Sequence, residues 1–129
     1  MPAFAVEGFR IPGLKAGANL SSNRYRFVKY DATADQVVAM AAVTDQPAGV
    51  QLDKPDAAGK LIDVAATGIE MVEAGAAVSY GALVQSDASG RAITAASTGY
   101  VAGRALAAAS GAGERIPVLL NCVNPWLKA

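Results

Sequence analysis

The sequence predicts an all-β protein, built as a small compact β-barrel or sandwich. Three observations predict this fold class: turn signals recur about every ten residues, short apolar runs lie between them, and one segment is repeated. Residues 48–64 share seven identical residues with residues 102–118, at an offset of fifty-four. Upstream, residues 27–33 align with residues 83–89. Two copies are too few for a solenoid, so we expect two diverged repeats that form one closed β-domain.

The first 24 residues are predicted to form an extended N-terminal arm. Pro and Gly are frequent in this segment, and both residues oppose a helix and a central strand. Four large apolar side chains are scattered along the arm in a context that cannot form its own core. We therefore expect the arm to lie on another subunit and to contact it through these side chains: Phe4, Phe9, Ile11 and Leu14.

The β-domain itself is predicted to span residues 25–123. The clearest element is a hairpin, because Asp87 and Gly90 occupy the first and fourth positions that a type I turn prefers. Residues 33–43 and 101–109 also contain good helix formers, so one short helix stays open as an alternative to strand there. In chain order, we predict strands at residues 24–30, 50–52, 61–65, 68–72, 82–85, 91–94, 104–107 and 115–121.

Residues 124–129 follow the last predicted strand as a C-terminal tail. They contain Trp126 and Leu127, two large apolar side chains beyond the β-domain. If the arm is not the attachment surface, these two residues are the next candidates for contact with a partner.

Composition and charge exclude several classes of partner. Eleven basic and eleven acidic residues give zero net charge, whereas nucleic-acid binding requires clustered Lys and Arg. No apolar run approaches the roughly 18 residues of a membrane-spanning helix. Cys122 is the single cysteine, and the N-terminus has no signal-peptide pattern, so we expect synthesis in a cytoplasm-like environment.

The sequence also lacks a convincing catalytic or metal-binding pattern. It contains no His, the commonest general base and metal ligand, and Cys122 lies in a run typical of a buried strand. We therefore predict no enzyme activity, catalytic residue, cofactor, metal site or small-molecule substrate. Three other groups are interpreted as structural: Glu70 with Glu73, Asp53 with Asp56, and the Gly111–Gly113 loop that precedes Glu114.

A family resemblance is visible over roughly residues 45–121. The order of small residues there resembles the small capsid decoration or cement proteins of tailed bacteriophages. The arm and the tail lie outside the resemblance. The segments that carry it are Ala74-Gly75-Ala76-Ala77-Val78, Gly81-Ala82-Leu83-Val84, residues 86–92 (SDASGRA), Gly103-Arg104-Ala105-Leu106-Ala107 and Ile116-Pro117-Val118-Leu119-Leu120.

The resemblance implies a structural virion protein on the outer surface of a phage capsid. Such proteins are compact β-domains, commonly homotrimers, that bridge and stabilise subunits of the major capsid protein and carry no catalytic residues. A different virion or host-surface interaction module, fibre-like or carbohydrate-binding, is the alternative. That alternative predicts an exposed aromatic platform, for which Trp126 and four Tyr are the candidates.

Overall fold

The computed structural model describes residues 6–128, and these residues form β-strands connected by turns and short loops. The all-β prediction is confirmed, and no helix occurs within the described range. The strands, in chain order, are β1 Val6–Glu7, β2 Lys15–Ala16, β3 Phe27–Tyr30, β4 Gln36–Ala39, β5 Pro47–Gln51, β6 Val64–Ala65, β7 Thr67–Glu73, β8 Leu83–Ser86, β9 Ala92–Thr94, β10 Tyr100–Val101, β11 Gly103–Ala105, β12 Arg115–Asn121 and β13 Trp126–Leu127.

These strands form two main sheets and one small ladder. The first sheet has six strands in the order β1-β7-β12-β11-β8-β9, and the second has five in the order β2-β4-β3-β5-β6. β10 and β13 pair separately. The predicted hairpin is present, since β8 and β9 pair antiparallel across the Asp87 turn. The two segments open to helix contain β4 in one case and β10 with β11 in the other.

Small side chains fill most of the core. Phe27 is the largest fully buried side chain, and it lies in a cluster with residues of both sheets, including Val50 and Val84. A second cluster belongs to the five-stranded sheet and includes Val28 and Val37. Many Ala residues line these clusters, which lets the strands approach closely.

The two sequence-similar segments pair in the same register. In the first, Val50 lies opposite Ala65; in the second, Arg104 lies opposite Leu119, fifty-four residues later at both positions. The upstream strands follow the same rule. Val28 pairs with Gly49 on β5, and its counterpart Val84 pairs with Gly103 on β11.

This register requires glycine at two equivalent positions, Gly49 and Gly103. A Cβ atom on Gly49 would lie 2.5 Å from the carbonyl oxygen of Ala65, and one on Gly103 would lie 2.4 Å from that of Leu119. Both distances are far below van der Waals contact, and the opposing atoms are backbone. The paired strands therefore pass too closely for any side chain at these two positions.

The structure differs from the predicted arm over residues 14–20. Leu14, Ala16 and Leu20 are buried in the second core cluster instead of lying on another subunit. The Ala16 amide donates to the Lys60 carbonyl oxygen over 2.8 Å, and β2 pairs with β4 in parallel. Proline and glycine here mark turns between short pieces of sheet, and a parallel pairing between distant residues leaves no local sequence signal.

Leu14 is correspondingly unsuited to the partner contact predicted for it. Its exposed fraction is 6%, and it packs against other members of the second core cluster. Phe4 lies outside the described residues. The tail, by contrast, joins the fold: β13 pairs antiparallel with β10, with Trp126 opposite Val101.

Candidate functional site

Large apolar side chains that remain exposed are the strongest candidates for a functional surface. Scattered exposed apolar residues are ordinary, but residues that share a groove or a sheet face indicate binding. The exposed large apolar residues are Phe9, Tyr30, Val43, Leu61, Tyr80, Leu119, Val123, Trp126 and Leu127.

Three of them surround one groove, here called the Phe9 groove. Phe9, Tyr30 and Val123 line a depression of about 300 Å³ whose other walls are mostly apolar. Phe9 is 69% exposed and Val123 is 64% exposed. The remaining lining residues are Arg10, Ile11, Pro12, Gln46, Ala66 and Cys122.

The backbone holds Phe9 firmly at the rim of this groove. Its amide donates to the Thr67 hydroxyl oxygen over 2.7 Å, and its carbonyl oxygen accepts from the Ala66 amide, also over 2.7 Å. Nearby, Gly8 leaves room for the Thr67 backbone, since a Cβ there would lie 2.4 Å from the Thr67 carbonyl oxygen. The exposed ring is thus presented by an ordered segment.

A second groove, here called the Trp126 groove, lies over the outer side of the six-stranded sheet. It has a volume of about 380 Å³ and is lined by Leu83, Leu119 and Trp126 among others. Leu119 is 47% exposed and Trp126 is 48% exposed. Across the sheet, Leu119 lies opposite Ile69 on one side and Arg104 on the other.

Strand β12 and the residues that directly follow it connect the two grooves. Leu119, Asn121 and Val123 alternate with the buried residues Leu120 and Cys122, so all three point away from the core. Asn121 and Leu119 line the Trp126 groove, whereas Val123 lines the Phe9 groove. We call the surface formed by Phe9, Tyr30, Val123, Leu119 and Trp126 the apolar face.

Charge is sparse on the apolar face and has one sign. Arg10 is the charged residue of the Phe9 groove, and Arg104 is that of the Trp126 groove; no carboxylate lines either. Arg10 is paired with Asp63 at 2.7 Å, and Arg104 donates to the Gly81 carbonyl oxygen. Binding at this face therefore removes few charged groups from water, which keeps the desolvation cost low.

Three of the predicted contact residues line one of the two grooves. Phe9 and Ile11 line the Phe9 groove, and Trp126 lines the other one. Leu127 is exposed on β13, opposite Tyr100. The sequence analysis includes Tyr30 only among the four Tyr of a possible aromatic platform, and it misses Leu119 and Val123. A period of two within residues 118–123 could have revealed the last two, but the continuous apolar run hid it.

The thiol and carboxylates that could act in catalysis or metal binding are buried or paired with other side chains. Burial raises the pKa of the Cys122 thiol to about 12, so the thiolate is disfavoured. Glu73 pairs with Arg26 at 3.2 Å, and buried Glu70 lies 3.8 Å from Arg10. Within residues 6–128, no cluster of three or more Cys, Asp and Glu side chains could hold a metal ion.

In the two loops that could bind an ion, hydrogen bonds and ion pairs within the loop already occupy the candidate groups. The Glu114 carboxylate accepts from the amides of Ser110 and Gly111 and from the Ser110 hydroxyl, which lowers the pKa of Glu114. These amides are therefore not free to cradle a phosphate. A hydrogen bond and the charge of Lys60 lower the pKa of Asp56. In the described part of the chain, no helix is long and apolar enough to cross a membrane.

Both a family model and a solved structure match this chain. The model of the phage cement protein family matches residues 16–120. Among solved structures, the chain is similar to the N base of the head fibre gp8.5 of bacteriophage phi29, with a TM-score of 0.68 and 20% identity. That likeness covers 94% of this chain and 97% of the other, and at this identity it concerns the fold. A comparison with curated proteins finds no match.

Proposed function

The chain belongs to the phage cement protein family and is a structural protein of a phage virion, and from this premise we propose that it decorates the outer capsid surface. In this proposal its partner is the major capsid protein, whose subunits it bridges and stabilises. Synthesis takes place in the host cytoplasm, before attachment to the particle.

The observation that carries the proposal is the apolar face. Exposed apolar side chains that gather around grooves, unlike singly scattered ones, indicate a contact with another protein. The face here combines an aromatic residue in each groove, Phe9 and Trp126, with Leu119 of β12 and Val123, which follows that strand. Aromatic anchors of this kind contribute much of the binding energy at protein interfaces.

Two separate grooves on one face support a bridging role. The Phe9 groove and the Trp126 groove can each receive a different apolar segment, one from each of two neighbouring capsid subunits. A copy that holds both segments stabilises the assembled shell, because it binds the assembled state and not the separated subunits. Many copies on one shell then multiply a moderate individual affinity.

We also propose that the copies associate as trimers on the particle. The small-residue core buries limited apolar area per residue, so further burial between copies would stabilise the protein. Mass measurement on free protein at high concentration and on decorated particles tests this. A protein that stays monomeric both free and on the particle contradicts the trimer.

A second candidate function is favoured by the fold likeness to a head fibre base. In this alternative, the domain is the anchor from which a fibre projects, and the apolar face attaches it to the capsid. Imaging of decorated particles separates the two: a compact knob at each site supports decoration, whereas a filament extending from each site supports the anchor.

The apolar face is tested by binding to particles purified without this protein. We expect the double variant Phe9→Ser with Trp126→Ser to lower the affinity about a hundredfold, since two aromatic anchors are lost. Co-sedimentation with the particles measures this affinity. Because both side chains are substantially exposed, the variant retains its fold, which circular dichroism checks.

Tyr80→Ser is the matched control. Tyr80 is 75% exposed but lines neither groove, so we expect particle binding within about twofold of wild type. Unchanged particle binding by the double variant contradicts the assignment of this face to the capsid. Loss of self-association alone would make it a contact between copies and would also overturn that assignment.

A further inference from the structure

The far end of the β7–β12 ladder carries a different kind of surface. At one end of this ladder Thr67 pairs with Asn121, next to the apolar face; at the other end Glu73 pairs with Arg115. Each strand has seven residues, so the two ends are about 20 Å apart. The second end collects arginine side chains where the first collects apolar ones.

Tyr25 is the centre of this arginine cluster. The guanidinium carbon of Arg24 lies 4.6 Å from the centroid of the Tyr25 ring, and that of Arg115 lies 4.4 Å from it. Both distances are within the range of cation–π attraction. Arg26 and Arg91 lie beside this group and approach Glu73. We call the set Arg24, Tyr25, Arg26, Arg91 and Arg115 the arginine cluster.

The local carboxylates do not neutralise this cluster. Glu73 is shared by Arg26 at 3.2 Å and Arg91 at 3.7 Å, and Arg91 also reaches Asp87 at 3.6 Å. Among residues 6–128, Arg24 and Arg115 form no ion pair, and both are exposed. The cluster thus presents two exposed guanidinium groups outside these ion pairs, with the Asp63 and Glu70 carboxylates in the same depression as Arg24.

These two guanidinium groups are also held in place before any partner binds. The Nε atom of Arg24 donates to the Leu52 carbonyl oxygen over 3.0 Å. The Tyr25 amide donates to the Gln51 carbonyl oxygen over 2.7 Å, and the Tyr25 carbonyl oxygen accepts from the Glu73 amide over 2.9 Å. The ring is therefore a fixed platform, which reduces the entropy lost when the arginines bind a ligand.

The backbone at Tyr25 has a conformation that suits glycine better than tyrosine. Its φ is 65°, a left-handed conformation that tyrosine rarely adopts. Gly81 occupies the equivalent place fifty-six residues later, with φ of 82° and the same kind of hydrogen bond, from its amide to Ala105. Glycine serves the fold at this position, and only a ring can hold the two arginines.

We propose that the arginine cluster binds an acidic segment of a partner protein. Each exposed guanidinium has a planar edge of N–H donors that suits a carboxylate, and two of them suit a pair of Asp or Glu side chains. The chain as a whole has zero net charge and so gives no long-range attraction for a nucleic acid, which favours a short acidic peptide. This surface is separate from the apolar face and does not depend on the role assigned to that face.

The test uses the full chain and a fluorescein-labelled hexaglutamate peptide, followed by fluorescence anisotropy. We expect the variant Arg24→Gln with Arg115→Gln to lower the affinity about tenfold or more, because charge-assisted hydrogen bonds are lost. Raising the ionic strength from about 20 to about 150 mM should weaken wild-type binding, since these charges are exposed.

Two further variants separate the site from general charge and from folding. Lys15→Gln with Lys60→Gln removes the same charge from exposed positions outside the cluster and should leave binding within about twofold. Tyr25→Gly introduces the residue found at the equivalent position, Gly81. This variant should fold yet bind hexaglutamate weakly. Equal loss in both double variants overturns the proposal, as does tighter binding of an oligothymidylate of the same charge.

Discussion

The two halves of the molecule, residues 14–65 and 72–119, share a hydrogen-bonding frame but differ at the surface. In the first, the Ala16 amide donates to Lys60 and the Gly59 amide donates back to Ala16; in the second, Ala74, Glu114 and Gly113 make the same pair of bonds. Small residues that the halves share carry this frame. Residues that differ between the halves form the arginine cluster and contribute Tyr30 and Leu119 to the apolar face, whose other residues lie outside both halves.

Two positions illustrate the difference. Ala65 and Leu119 occupy equivalent places in the ladder, but Ala65 is buried whereas Leu119 is exposed on the apolar face. Tyr25 and Gly81 share a left-handed backbone, but only Tyr25 gathers arginines. The comparison teaches that the residues of the shared frame and those of the proposed binding surfaces occupy separate positions, so we expect substitutions in one to leave the other intact.

Breaking the shared frame should have the largest effect. Gly49→Ala and Gly103→Ala would each place a Cβ within 2.5 Å of an opposing carbonyl oxygen. We expect each variant to lower the free energy of unfolding by about 2–4 kcal/mol, because the paired backbones must separate. Urea denaturation measures both values.

Gly111→Ala is the control for these two variants. Its Cβ would meet no atom within 4 Å, so we expect a change within about 0.5 kcal/mol. A large loss at Gly49 with none at Gly103, or the reverse, would show that the two halves do not share the same packing constraint.

The loop between β4 and β5 and its counterpart between β9 and β10 should differ in stability by a smaller, pH-dependent amount. In the first half the Asp45 carboxylate accepts from the amides of Ala41 and Ala42 and from Lys29. In the second half, the neutral Gln85 amide oxygen accepts from the Ala96 amide. Asp45→Asn should therefore lower stability at neutral pH by about 1 kcal/mol.

The sign of the pH dependence follows from the Asp45 pKa. The Ala41 amide hydrogen bond, with help from Lys29, lowers this pKa below its ordinary value of 3.8. The stabilisation is complete above that value and is lost as the pH falls through the lowered native pKa. Unfolding curves of wild type and Asp45→Asn should thus converge at low pH; a constant difference across pH 2–7 would contradict this account.

Tyr25→Gly should give the smallest change in stability. The substitution removes two cation–π contacts but relieves a left-handed tyrosine, so the two effects oppose each other. We expect the free energy of unfolding to change by less than about 1 kcal/mol, measured by urea denaturation. A loss of several kcal/mol would mean that the ring belongs to the frame.

Most strands could be predicted from signals that are local in the sequence. Elements held by contacts between distant residues could not. The hairpin at Asp87 follows from turn residues that are adjacent in sequence. Leu14 and Ala16 fall within the predicted arm, because their partners are distant in sequence: Ile62 for Leu14, and Val37 and Lys60 for Ala16. Phe9 and Trp126 stood out as large apolar residues, whereas exposed Leu119 was indistinguishable from its buried neighbours Val118 and Leu120.

Hydrogen–deuterium exchange on free and particle-bound protein tests the central claim most directly. If the apolar face attaches the chain to the capsid, particle binding should protect the amides of residues 8–12 and 119–127 and leave residues 77–81, around Tyr80, unchanged. Protection around Tyr80 with no change in the two segments of the apolar face would contradict the account.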